Sequence, residues 1–273
     1  MVSRAASEIS NSELREPYMY LANKVFCQPP DDGVSVWRYM DFTKYVALLA
    51  TKTLFFARAD KLGDPFEGSF TQPSLESRIA FVKQQQVTRP HMEPLLGSVW
   101  RIGARRKTMS VAVTCWHMNE IESTAMWSLY LRSNEGIAIR STYSRLRDSF
   151  RTTDDVHLGV VNYLDYARDS FPTIDQLEPF VHKRKSFKHE QEVRAIVVVE
   201  GVGPGVLNPL NSDWKPGIES GVSVPVALDT LIESIFLPPT ATDWFRNLVG
   251  TVQRQFGFNF PVHQSALIGS PLY

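Results

Sequence analysis

The sequence predicts an α+β fold: one domain with a central, mostly antiparallel or mixed β-sheet, with room for a split into two sheets, and flanking helices. Three observations predict it. Many short runs alternate or are apolar with strand length, as in Val34–Met40, Leu54–Arg58 and Met109–His117. Helix-period segments fall between them at irregular intervals, unlike a regular βαβ alternation. No G-x-G-x-x-G or G-x-x-x-x-G-K-[ST] is present to mark a nucleotide-binding α/β unit.

The elements follow in order. Residues 1–33 read as an arm, with a short helix over Tyr18–Phe26 and a turn at Pro29-Pro30-Asp31-Asp32-Gly33. Residues 34–273 read as the domain. The strand Val34–Met40 puts Val34, Val36, Arg38 and Met40 on one face. Asp41 or Thr43 caps a helix carrying Tyr45, Val46, Leu48 and Leu49. Leu54–Arg58 returns as a strand. Asp60–Gly68 is a tight loop fixed by Pro65. Helices follow over 74–87 and 91–106, then the strand Met109–His117, the helix Ala125–Leu131 and the strand Glu135–Arg140. Tyr143–Phe150 is helical and Val156–Tyr163 a strand. Thr173–Ser186 reads as a helix with Pro179 near its start. Ala195–Val199 is a buried strand. Gly201–Gly221 is a loop or insertion. Val222–Leu228 is an edge strand because of Pro225. Ile232–Leu237, an amphipathic helix over Thr240–Phe256 with Trp244, Leu248, Val252 and Phe256 as its apolar face, and a last strand Phe258–Gln264 complete the chain.

Charge and composition narrow the function classes. Lysine plus arginine (29) equals aspartate plus glutamate (29), so no global field favours nucleic acid or anionic lipid. No apolar run approaches the roughly 20 residues that span a bilayer, and no membrane partner is expected. Two distant cysteines, Cys27 and Cys115, make no disulfide framework. A reducing cytoplasm is therefore expected.

The candidate chemistry centres on Lys183–Arg194. Glu190, Glu192 and Arg194 are spaced to share one strand face, with Gln191, Val193, Ala195 and Val197 on the other. Two readings stand open: a closed salt-bridge network, or a carboxylate pair set against a sugar, where one stabilises positive charge at the anomeric carbon. Lys183–Lys188 and Arg101–Lys107 read as solvated basic helix ends. In Asp64–Glu67, Asp64 caps backbone donors and Phe66 plugs the core, or Asp64 and Glu67 form the lip of a pocket. Glu122, with Met126 and Tyr130 on one helix face, is placed to pair with Arg194 or Arg38. Cys115 and His117 share a face, which offers a nucleophile with its base or, more plainly, a buried small hydrophobe beside a histidine; a metal would need two further ligands, and none is expected.

These motifs resemble a bacterial family catalogued as domain of unknown function 2971. The resemblance runs through Trp37-Arg38-Tyr39, Leu54–Asp60, Asp64-Pro65-Phe66-Glu67-Gly68, Thr114-Cys115-Trp116-His117, Glu122–Trp127, Gly136–Ile139 and Phe187–Arg194. It covers about residues 34–267, and the family label implies no activity. Its general company implies a role in conflict between bacterium and phage. In outline the chain is also similar to ADP-ribosyltransferases, with an arginine on the first strand and a Glu-x-Glu at a later strand entry. That similarity implies NAD as co-substrate, with a protein or nucleic-acid acceptor. Arg38 would hold a phosphate or ribose group, Glu192 would stabilise the oxocarbenium-like state, and Glu190 would orient the nucleophile. Arg194, Glu122, Tyr130, Asp64 and Glu67 would bind substrate or form the rim. The alternative is a non-catalytic nucleotide- or protein-binding module whose charges form a structural network.

Overall fold

Val36 and Met40 alternate with Trp37 and Tyr39 along β1 (Ser35–Asp41), and both pairs are buried, so the strand is covered on its two faces. The computed structural model describes residues 25–88, 93–130, 135–172, 175–202 and 213–267. Residues 1–24 of the expected arm and the middle of the 201–221 insertion lie outside them. The described end of the arm is not free: Val25 and Phe26 are buried against Val111, Phe180 and Ile196.

The chain continues with α1 (Phe42–Thr51), β2 (Thr53–Arg58), α2 (Gln72–Thr88), α3 (Glu93–Ser110) and β3 (Val111–Met118). Next come α4 (Thr124–Tyr130), β4 (Gly136–Thr142) and α5 (Tyr143–Ser149). Then come β5 (His157–Val160), β6 (Asn162–Leu164), β7 (His182–Arg184) and β8 (Glu192–Val198). The chain closes with β9 (Gly221–Pro225), α6 (Leu228–Leu231), β10 (Ser234–Leu237), α7 (Asp243–Gln255) and β11 (Val262–Gln264). The fold is the expected single α+β domain: a nine-stranded, mostly antiparallel sheet and a separate parallel pair, β6–β7. As expected from Pro225, β9 is an edge strand. No helix among the described residues is long and apolar enough to cross a membrane.

The sheet branches at β3. One edge of β3 pairs with β8 continuously, from Val111↔Val198 to His117↔Glu192. The other edge is shared. β1 meets it only at Val36↔Met118 and Trp37↔His117, and β2 only at Ala57↔Val113 and Arg58↔Ala112. Elsewhere β1 follows β4, and β2 follows β9. Two wings therefore part in front of Thr114, Cys115 and Trp116. Cross-strand partners share a face, which sorts the side chains. Val36, Met40, Ala112, Trp116, Val193, Ala195 and Val197 join the main core under α1 and α5. His117, Glu192 and Arg194 lie on the opposite face.

Several local expectations change. Over the described residues 175–186, the helix expected across Thr173–Ser186 does not form. Glu178–Phe180 and Lys185–Glu190 are short 3₁₀ turns, and β7 pairs with β6 between them. Pro179 removes a helical donor, and burial of His182 and Lys183 favours the strand. The strand expected over Val156–Tyr163 breaks at Val161, which donates to Glu192 O (2.8 Å) before Asn162 turns to Val181 O (2.9 Å). Asp41 occupies the α1 N-cap without a side-chain hydrogen bond. On α7 the buried row is Phe245, Val249 and Gln253, while Trp244 is exposed.

The loop before α2 is clamped at Gly68. Its φ is +71°, and a Cβ there would stand 2.6 Å from Phe180 Cε1. Gly68→Ala is expected to lower stability by roughly 1–3 kcal/mol, from left-handed strain and overpacking. Urea unfolding measures it, and an unchanged midpoint would contradict this packing.

Candidate functional site

Five charged side chains with little solvent access meet where β7, β8 and the Asp64–Gly68 loop converge. The Lys183 ammonium lies 2.6 Å from Glu190 Oε2, 2.7 Å from Glu192 Oε1 and 3.7 Å from Glu67 Oε1. Arg194 donates through Nε to Glu192 Oε2 (2.6 Å). Its two terminal nitrogens grip Glu67 at 2.8 Å each, and one also donates to Phe180 O (2.9 Å). Buried charge persists only when paired and hydrogen-bonded, and here each cation has several acceptors.

The charges do not cancel: three carboxylates face two cations, so one negative charge is left over. Below about pH 7 a proton relieves it. Burial and the adjacent Glu192 push Glu190 up to about 7, despite Lys183. Glu192 is held well below the usual carboxylate range. Burial opposes its charge, but Arg194 and Lys183 outweigh it.

Glu192 and Arg194 share a strand face, as their spacing predicts. Glu190 reaches the site differently. It ends a 3₁₀ turn, and Gln191 then takes the left-handed conformation (φ 40°) before β8 begins. Lys183, expected as solvated helix end, is a central cation of the network. Its neighbour Arg184 pairs with Asp64 (2.7 Å) and lies over the Phe66 ring (4.2 Å). Asp64 also accepts from Phe66 N (3.0 Å), the expected turn cap. Phe66 itself is exposed rather than plugged into the core. Glu67 stands inside the network rather than on a lip. Glu122 pairs with neither arginine; it accepts from Trp127 Nε1 (2.9 Å) and Ala266 N (3.0 Å).

A cavity of about 620 Å³ occupies the gap between the two wings. Ligand clefts run roughly 300–1,000 Å³. Arg38, Tyr130, Glu190 and Glu192 line it, joined by Thr114, Cys115, Trp116 and His117 of β3. Lys44, Ala47, Leu48 and Thr51 of α1 also line it, so the lining comes from both faces of the sheet. This passage brings Arg38 and Glu192 to one cavity although they lie on opposite faces. Phe55 and Tyr130 line it with exposed rings.

Arg38 is half-buried and bridges the wings. It donates to Thr114 Oγ1, to Cys115 O (3.4 Å) and to Phe55 O (3.4 Å), and its guanidinium lies 5.8 Å from the Trp116 ring centre. Among the described residues no carboxylate pairs with it. Loss of solvent pulls its pKa down, opposed by nearby Cys115 and Tyr130. Burial, then Glu192, pushes the Cys115 thiol up. That leaves Cys115 protonated and a poor nucleophile. Among the described residues no three His, Cys, Asp or Glu side chains are grouped as metal ligands. Lys183 is the participant that sequence reading missed, and His117 was weighed there only beside Cys115. For Lys183 no local signal was available, because its partners depend on the β6–β7 pairing.

Two measurements check the network. Lys183→Met is expected to destabilise the fold by about 3–5 kcal/mol, since it strands buried carboxylates; a loss below about 1 kcal/mol would contradict the pairing. Glu190 titrates near 4.5 unfolded and near 7 folded, so the folded state holds its proton more tightly. The stability from that proton is complete below 4.5 and is lost as pH rises through 7. Wild type should therefore lose up to about 1.4 kcal/mol per pH unit across that window relative to Glu190→Gln. Parallel urea titrations of the two proteins would show no such divergence if Glu190 titrated normally.

Comparison with family models, with curated proteins and with solved structures returned no match. The resemblances set out above rest on the chain's own motifs.

Proposed function

We propose that the cavity binds a nucleotide and that the protein is an ADP-ribosyltransferase-like enzyme using NAD as co-substrate. The observation that carries this reading is a guanidinium, without a carboxylate partner among the described residues, lining the same cavity as a carboxyl pair. Arg38 would take an anionic group of the nucleotide, which a planar guanidinium grips with two donors. The exposed rings of Phe55 and Tyr130 offer flat faces for a base or pyridine ring.

Glu190 and Glu192 supply the negative side of the cavity. As the bond between the anomeric carbon and nicotinamide nitrogen lengthens, positive charge develops on the sugar. Fixed carboxylates stabilise it without reorganising. A nucleophile of the protein or nucleic-acid acceptor then bonds to that carbon and releases its proton, and nicotinamide leaves. Glu192 acts through its fixed charge, with both oxygens engaged. Glu190 is the adjustable carboxyl, titrating at about 7.

The engagement of both Glu192 oxygens favours a second reading, a non-catalytic nucleotide-binding module with a structural network. Incubation with NAD separates the two. The enzyme reading expects nicotinamide release by wild type and a loss of about 100-fold or more in Glu192→Gln, the scale of a transition-state electrostatic contact. Glu190→Gln, which keeps an acceptor for Lys183, is expected to slow release as well, and urea unfolding of both variants guards against simple unfolding. NAD binding without release, in wild type and both variants, would establish the module instead.

A further inference from the structure

His117 lies on the carboxylate face of β3, directly opposite Glu192, and is 3% exposed. Its Nδ1 is 2.7 Å from the backbone oxygen of Glu190. A carbonyl oxygen only accepts, so Nδ1 carries the hydrogen and Nε2 the lone pair. Nε2 is buried, and it has no partner among the described residues. Buried polar atoms are almost always paired, and this residue lines the cavity.

Most other titratable groups of the cavity are engaged. Glu192 is held by Lys183 and Arg194. Glu190 accepts from Lys183 and titrates at about 7. The Cys115 thiol and the phenols of Tyr39 and Tyr130 are protonated. Arg38 and Lys44 are cations. Burial, and His189 to a lesser degree, lower the pKa of His117, although its bond to Glu190 opposes this, so the ring is neutral near pH 7.

We propose that His117 is the general base of the site: its Nε2 accepts the proton of the hydroxyl or amino group that attacks the anomeric carbon. The acceptor is thereby assigned to the class of oxygen or nitrogen nucleophiles bearing a removable proton. This rests on the transfer reading above. The nucleophile's lone pair forms the new bond to carbon, its proton passes to Nε2, and the carbon–nitrogen electron pair leaves with nicotinamide. Glu190 thus orients the base through its backbone rather than the nucleophile through its side chain.

The test combines a rate with a spectrum. His117→Gln is expected to lose about 100-fold in kcat, the scale of general-base catalysis, with KM for NAD unchanged. A neutral base is required, so beneath any limb set by Glu190 near 7, wild-type kcat should fall again as pH drops through a pKa below the usual 6.5, and the variant should lack that lower limb. Independently, the ¹⁵N spectrum of wild-type histidines is recorded with and without ADP-ribose, whose anomeric hydroxyl stands where the nucleophile would. The expected result is an Nδ1–H tautomer at His117 and an Nε2 signal shifted by the new hydrogen bond. An Nε2–H tautomer, or an Nε2 signal unmoved by ADP-ribose, overturns the proposal whatever the kinetics. Release that survives His117→Gln with an unchanged pH profile overturns it while leaving the transfer reading intact. No release from wild type removes the reaction and the base together, even if Nε2 shifts.

Discussion

The bidentate grip of Arg194 on Glu67, extended through Glu192 to Lys183 and Glu190, is the interaction on which the rest depends. It ties three separated parts of the chain together: the loop before α2, the β7 strand and the start of β8. Its geometry explains why so much charge can sit under a buried strand. Each carboxylate meets a cation, and below about pH 7 the leftover charge is met by a proton on Glu190. An apolar substitute would be no less stable in principle. What the charges add is a fixed field beside the cavity and a carboxyl that titrates near neutrality.

The branching of the sheet supplies the other half of the site. A strand edge that loses its neighbour exposes backbone donors and acceptors, and here two neighbours part in front of Thr114–Trp116. Arg38 spans part of that opening with hydrogen bonds to both sides. The opening also lets residues from two faces of the sheet address one space. Arg38 comes from the apolar face and Glu190, Glu192 and His117 from the charged one.

The regular elements were legible because period and punctuation are local. The alternation in Val34–Met40, the apolar run after Arg194 and the Pro225 edge signal all reflect single-strand chemistry. Glu192 and Arg194 could be placed on one face for the same reason. Lys183 could not, because its burial depends on β7 lying beside β6, a pairing that the helix-like spacing of Thr173–Ser186 concealed. Glu190 was placed on the right side for the wrong reason, since a left-handed Gln191 intervenes. Arg38 and Glu192 could be suspected of meeting, but not by the route they take. Parity puts them on opposite faces, and only the branched sheet joins them. His117 was read as a possible partner of Cys115; its orphan nitrogen depends on the fold.

The claim that the opening between the wings is a ligand site, with Arg38 as its anion receptor, is tested most directly by calorimetric titration of ADP-ribose. The account predicts saturable binding to wild type and its loss in Arg38→Met folded to the same thermal midpoint. Equal affinity in the two proteins, or no binding to wild type, would contradict it.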